Sequence, residues 1–241
     1  IFSDWRAGYS AIFFVQLSAA VFVFFTVLKG YWKPQKKICE EKISFDSQKI
    51  FLKSKIFFAV QWIIFFLYAA AEYSVTFWTV SVLIDGRGEF FAVASLFPAV
   101  YLGSLMTGRI VFGYANNSDA DPKIIRLGFF LAVIGLIVLT FSNSVVGIVL
   151  VGYGFAPIFP CLMNVTKKRF DPQSLYKSVG LQIAAAGAGV TLSAVSMGRL
   201  LEKISMAALF PAVIFFVLVS FVLNEIIEAK LKKISRELNS K

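Results

Sequence analysis

The chain has 241 residues, 58% of them hydrophobic, with a mean hydropathy of +0.77 and a formal net charge of +10. A soluble domain is about 45–50% apolar, and the excess here falls in blocks about as long as a bilayer crossing, roughly 20 residues. Histidine is absent, which excludes His-based catalysis and His metal sites, and Cys39 and Cys161 show neither a metal spacing nor a disulfide framework.

No charged leader or cleavage pattern opens the chain at Ile1, so it is expected to be a piece of a longer protein. The first apolar run covers residues 11–28 and carries Gln16; a Lys-rich polar stretch follows over 29–55. Further apolar runs cover 56–84, 90–112, 124–141, 145–165, 179–200 and 207–227, and a basic tail closes the chain. In lipid every backbone polar group needs an internal partner, and the weak period-2 alternation argues against a barrel. The reading is an all-α membrane protein with seven transmembrane helices. Its parts are a helix in 1–32, a cytoplasmic loop in 33–55, a six-helix unit in 56–228 and a cytoplasmic basic tail in 229–241.

Alternating sides from the first long loop places 20 of the 24 basic residues on one side, leaving Arg6, Arg87, Arg199 and Lys203 on the other. The positive-inside rule makes the first side cytoplasmic, with the C-terminus inside a multi-pass cell-membrane protein. The basic excess is then a topology signal and a contact for membrane lipids. Nucleic-acid binding is not expected, because no folded domain presents the basic loops.

Glu72 is the most deeply placed acidic residue of any run. On a helix, Gln61, Tyr68, Thr76 and Thr79 fall within about 40° of it, so one polar stripe runs along an apolar helix. A carboxylate at this depth costs about 2.5–3.5 kcal/mol on insertion scales, so the stripe is expected to face a bundle interior or a water-filled cavity. Glu72 reads as a carboxylate that binds substrate or couples a proton; the competing reading is a neutral acid hydrogen-bonded for packing. Trp78 is an interface anchor or a stacking surface for a sugar or aromatic solute. Gly108 and Gly113 would allow close helix approach around Arg109, itself placed to snorkel or to pair with a carboxylate. Pro157 and Pro160 break the fifth apolar run, 145–165, as gate helices are broken, and Asn164 lies toward its basic end. Gln182 is the functional candidate on a small-residue helix. The runs 124–141 and 207–227 read as lipid-facing or peripheral.

Taken in order, these segments resemble the C-terminal half of a major facilitator superfamily transporter, near the fucose-permease-like sugar transporters. Trp5-Arg6 with Tyr9 resembles the approach to the family's sixth span, Tyr68–Glu72 with Trp78 its seventh, and Gly108-Arg109 through Gly113 the loop motif after its eighth. Residues 154–160 resemble its tenth span and 180–189 its eleventh. The resemblance implies that the last six helices form one half of a twelve-helix bundle whose amino-terminal half is a missing partner. It further implies alternating access, a small-molecule solute such as a sugar, proton symport, and no cofactor, the proton gradient supplying the energy. Glu72, Tyr68 and Gln61 would face the central cavity, Gln182 and Asn164 would add hydrogen bonds, and Arg109 would belong to the inner gate. Tyr114-Ala115-Asn116-Asn117 departs from the family, where an acidic residue and an Arg often follow; Asp119, Asp121 and Arg126 are the candidates to substitute. The rivals are an efflux carrier, a seven-span receptor-like protein and a membrane enzyme. A retinal protein would need a Lys midway in the last helix, and 207–227 has none.

Overall fold

The computed structural model describes residues 5–29, 55–115, 121–170 and 172–239. The chain divides into two units, residues 1–49 and 50–241. In the first, α1 (Trp5–Leu28) is one helix with edge-on Phe13–Phe14 and Phe24–Phe25 ring pairs. Among the described residues its apolar stretch covers Phe13–Thr26. The central loop expected over 33–55 lies outside the described residues except for Lys55, as do Asn116, Asn117 and Asp119.

The second unit holds α2 (Lys55–Ser81), which continues into a π turn (Val82–Gly86), the single-turn α3 (Phe91–Ala94), α4 (Leu96–Ala115) and α5 (Asp121–Phe141). Then come α6 (Val145–Phe155), α7 (Ile158–Arg169), α8 (Pro172–Lys203), a 3₁₀ turn (Met206–Ala208) and α9 (Leu209–Asn239). Among the described residues six helical stretches are long and apolar enough to cross a bilayer, as befits a multi-pass membrane protein; α6 and α7 share one of them. The expected seventh span, α1, is not confirmed by the described residues.

Prolines punctuate this architecture. Pro98, Pro122, Pro160, Pro172 and Pro211 stand in the first turn of α4, α5, α7, α8 and α9, and Pro157 caps α7. A first-turn N–H has no intrahelical acceptor to lose, so proline starts a helix there without breaking one.

α2 packs against α8, α9 and α4; α9 continues onto α5, α5 onto α6, and α6 onto α4, so five helices close a ring with α8 outside it against α2 and α7. The runs expected to be lipid-facing or peripheral each keep one exposed face, with Phe130 and Ile137 on α5 and Phe215 and Val222 on α9, and bury the other. α5 buries Ile125, Phe129, Ala132, Leu136 and Leu139, and α9 buries Phe210, Val213 and Val217. Apolar composition misleads here because a packed membrane helix and a lipid-facing one are equally apolar; small residues mark the difference. A Cβ on Gly135 would stand 2.7 Å from the Gly147 carbonyl oxygen, so α5 and α6 meet backbone to backbone.

At one end of this unit the π turn is followed by Gly88, whose φ of 68° is left-handed and suits glycine. It turns the chain so that the Glu89 N–H reaches the Leu83 carbonyl at 2.9 Å. Arg87 then reaches across to the α5–α6 turn. Its Nη2 donates to the Leu139 and Thr140 carbonyls at 2.6 and 3.1 Å, and Nη1 to the Ser142 carbonyl and Asn143 Oδ1 at 3.2 and 2.6 Å. The Leu139 and Thr140 carbonyls belong to the last turn of α5, where a cation also meets the negative end of the helix dipole. The same guanidinium lies 5.3 Å from the Phe210 ring centroid, which joins α9 to the clasp. Arg87→Ala is expected to cost about 1.5–3 kcal/mol, the worth of charged hydrogen bonds. Thermal unfolding of the detergent-solubilised protein measures this; an unchanged melting temperature would reduce the clasp to decoration.

Candidate functional site

Two polar clusters lie inside the six-helix unit, and the stripe on α2 contributes to both. The first surrounds Glu72, midway along α2. Its carboxylate Oε1 lies 3.5 Å from Arg109 Nη2 of α4; the Glu72 side chain is 11% exposed and that of Arg109 50%. Both residues sit within spanning segments, where a charge is costly unless paired or wetted. They line a cavity of about 510 Å³ together with Tyr68 and Tyr73 of α2, Phe159 and Pro160 of α7, and Ile183, Ala186, Gly187 and Val190 of α8. Arg109 thus points along the cavity to the carboxylate.

The cavity wall includes the break between α6 and α7. Pro157 and Pro160 have no N–H to offer the Tyr153 and Ala156 carbonyls one turn earlier, so the helical ladder lapses there. The Tyr68 hydroxyl donates to the adjoining Phe155 carbonyl at 3.1 Å and lies beside the Glu72 carboxyl. The Glu72 carbonyl, in turn, accepts from Thr76 Oγ1 at 3.1 Å and from the buried Tyr101 hydroxyl at 3.4 Å. Close approach is realised at Gly108, where a Cβ would come within 2.7 Å of the Ala156 Cβ. Gly113 faces open space, with nothing within 4 Å of such a Cβ.

The second cluster lies at the end of the unit opposite the Arg87 clasp and centres on Arg169, the last residue of α7. This guanidinium is fully buried. Its Nη1 donates to Gln61 Oε1 at 2.6 Å; Nη2 donates to Asn224 Oδ1 at 2.8 Å and to Glu228 Oε1 at 2.7 Å. Gln61 Nε2 donates to Thr166 Oγ1 at 3.4 Å, that hydroxyl lies 3.3 Å from Gln182 Oε1, and Gln182 Nε2 donates to Ser178 Oγ at 3.2 Å. Phe170 stacks on Phe58 at 4.3 Å beside the cluster. Burial pulls the Arg169 guanidinium below its ordinary value, and the Glu228 carboxylate pulls it back. One charge thereby ties α2, α7 and α9 together, with α8 joined through Thr166.

Of the residues singled out in sequence, Glu72, Tyr68, Arg109 and Pro160 line the cavity. Gln61 and Gln182 meet each other, through Thr166, in the Arg169 cluster instead. Asn164 is half-buried on α7. The Trp78 ring packs on α8, so that a Cβ on Gly198 would lie 2.7 Å from its Cζ2. Arg126 pairs in two parallel bonds of 2.8 Å with Glu225 of α9, and Asp121 is buried beside the Cys161 thiol of α7.

Sequence reasoning counted Arg169 among the topology charges and passed over Asn224 and Glu228. The signal was present: Ser220, Asn224 and Glu228 recur every four residues, one face of a helix, and Ser220 Oγ donates to the Ile64 carbonyl of α2 at 3.3 Å. Arg169→Leu is expected to cost about 3–5 kcal/mol by leaving Glu228 uncompensated, and adding Glu228→Leu should recover most of it. Melting temperatures of the two variants decide this, and equal losses in both would show that the pair is not the relevant unit. The chain matches no family model, no curated protein and no solved structure.

Proposed function

We propose that the six-helix unit is one half of a twelve-helix secondary carrier of the major facilitator type. It moves a small solute by alternating access and couples that movement to protons through Glu72. The observation that carries this reading is the Glu72–Arg109 pair, placed within the membrane-spanning segments on a cavity of about 510 Å³ beside a broken helix. Ionisable groups inside a membrane mark solute or proton paths, and interrupted helices near the midplane are where carriers bind. In this reading the amino-terminal half of the same transporter supplies the opposite wall, and α1 is a further span. The basic end, with Arg126, Lys167, Lys177 and Lys230, faces the cytoplasm of a cell membrane.

The resemblance names a sugar as the solute. The cavity's apolar lining, from Phe159 and Pro160 to Ile183 and Val190, favours a second reading in which the carrier exports a less polar metabolite. In the full-length carrier Glu72→Gln is expected to abolish proton-driven transport while leaving membrane abundance intact, since an amide keeps the shape and cannot carry the proton. Wild-type transport in that variant, measured in vesicles with an imposed pH gradient, would return Glu72 to a packing role.

A further inference from the structure

Arg109 is the most capable ligand group on the cavity. Its Nη2 stands 3.5 Å from the Glu72 carboxylate, beyond the roughly 2.7–2.9 Å of a charge-assisted hydrogen bond. Half of its side chain is exposed, and a guanidinium fork matches a carboxylate in two parallel bonds. The remaining walls contribute the tyrosines Tyr68 and Tyr73 and otherwise apolar groups. The amides able to bind a hydroxyl-rich solute, Gln61 and Gln182, are held in the Arg169 cluster. The titratable groups facing Glu72 are few. Tyr68 and Tyr73 come from its own helix, and Arg109 and Tyr101 from α4, while α7 and α8 present apolar side chains. α9 meets α2 through Ser220 and Ile64, two turns away.

We propose that the cavity binds an organic anion with an apolar body, its carboxylate held by Arg109, and that Glu72 takes up one proton for each anion bound. The proposal rests on the carrier reading above. Charge conservation supplies the coupling. The empty site holds one carboxylate and one guanidinium and is neutral. An anion entering beside an ionised Glu72 leaves a net negative charge among apolar walls, which is costly. A proton from water on the Glu72 carboxylate restores neutrality: Arg109 keeps its charge, exchanges Glu72 for the solute carboxylate, and the loaded site is again neutral. A neutral sugar would leave the ion pair balanced without any proton, so the pair itself gives no reason for coupling to such a solute. A cavity of about 510 Å³ suits a small aromatic or branched acid.

The test is calorimetric binding of phenylacetate and of phenylacetamide to the detergent-solubilised full-length carrier, at about pH 6 and about pH 7.5, where the acid is ionised throughout. Two buffers of different ionisation enthalpy count the protons. Phenylacetate is expected to bind at least about tenfold tighter than the amide, more tightly at the lower pH, with one proton taken up. Glu72→Gln should bind it equally at both pH values with no proton uptake. Arg109→Gln should lose the preference for the acid, and Arg109→Lys, which keeps the charge and guards against a folding defect, should retain part of it. Equal affinity for acid and amide, or acid binding without proton uptake, overturns the proposal. If glucose is instead accumulated in a Glu72-dependent, proton-driven manner, the anion is excluded and the carrier reading stands; if the full-length protein moves no solute, the carrier reading fails as well.

Discussion

A charge inside an apolar bundle needs either a partner or water, and the six-helix unit meets that demand differently at three levels. At one end Arg87 is spread over the carbonyls that close α5. At the other, Arg169 is fully buried and divided among Gln61, Asn224 and Glu228. Between them Glu72 and Arg109 hold a looser pairing on an open cavity. Bonding is close at the two ends, although Arg169 Nε and Asn224 Nδ2 lack partners there among the described residues, and slack in the middle, where half of the Arg109 side chain is exposed.

The middle level is tied to backbone geometry as well as to charge. Tyr68 lies one helical turn from Glu72 and donates to the Phe155 carbonyl at the place where two prolines interrupt the hydrogen-bond ladder. Gly108 lets α4 approach Ala156 at that same break, one residue before Arg109 on the same helix. The carboxylate, the guanidinium and the interrupted span therefore share one small neighbourhood, although they arise on α2, α4 and α6–α7.

Much of this was legible in the chain itself. The six spans follow from apolar run length, the break from Pro157 and Pro160, and the polar stripe on α2 from its angular spacing around Glu72. The stripe's division into two sites was not legible. Gln61 and Glu72 share a face but lie three turns apart, and which neighbour each meets depends on α8 and α9. Arg169 was hidden for another reason. A basic residue following Lys167 and Lys168 looks like a topology signal, and only the return of α9, with Asn224 and Glu228 on one face, removes it from water. The apolar character of α5 and α9 likewise concealed their packed role, because the solvent of a membrane helix and its core have the same polarity.

The interrupted span has a mechanical consequence. α6 packs on α4 and α5, whereas α7 packs on α5 and α8 and ends in the Arg169 bonds to α2 and α9. The two halves of one membrane crossing thus answer to different neighbours, and between them lie two residues, Ala156 and Pro157, outside either helix. A displacement of α4 is passed to α6 and can be absorbed at that joint before it reaches the buried charge. The crossing behaves less as a strut than as a coupling, rigidly bolted at its basic end and compliant beside the cavity.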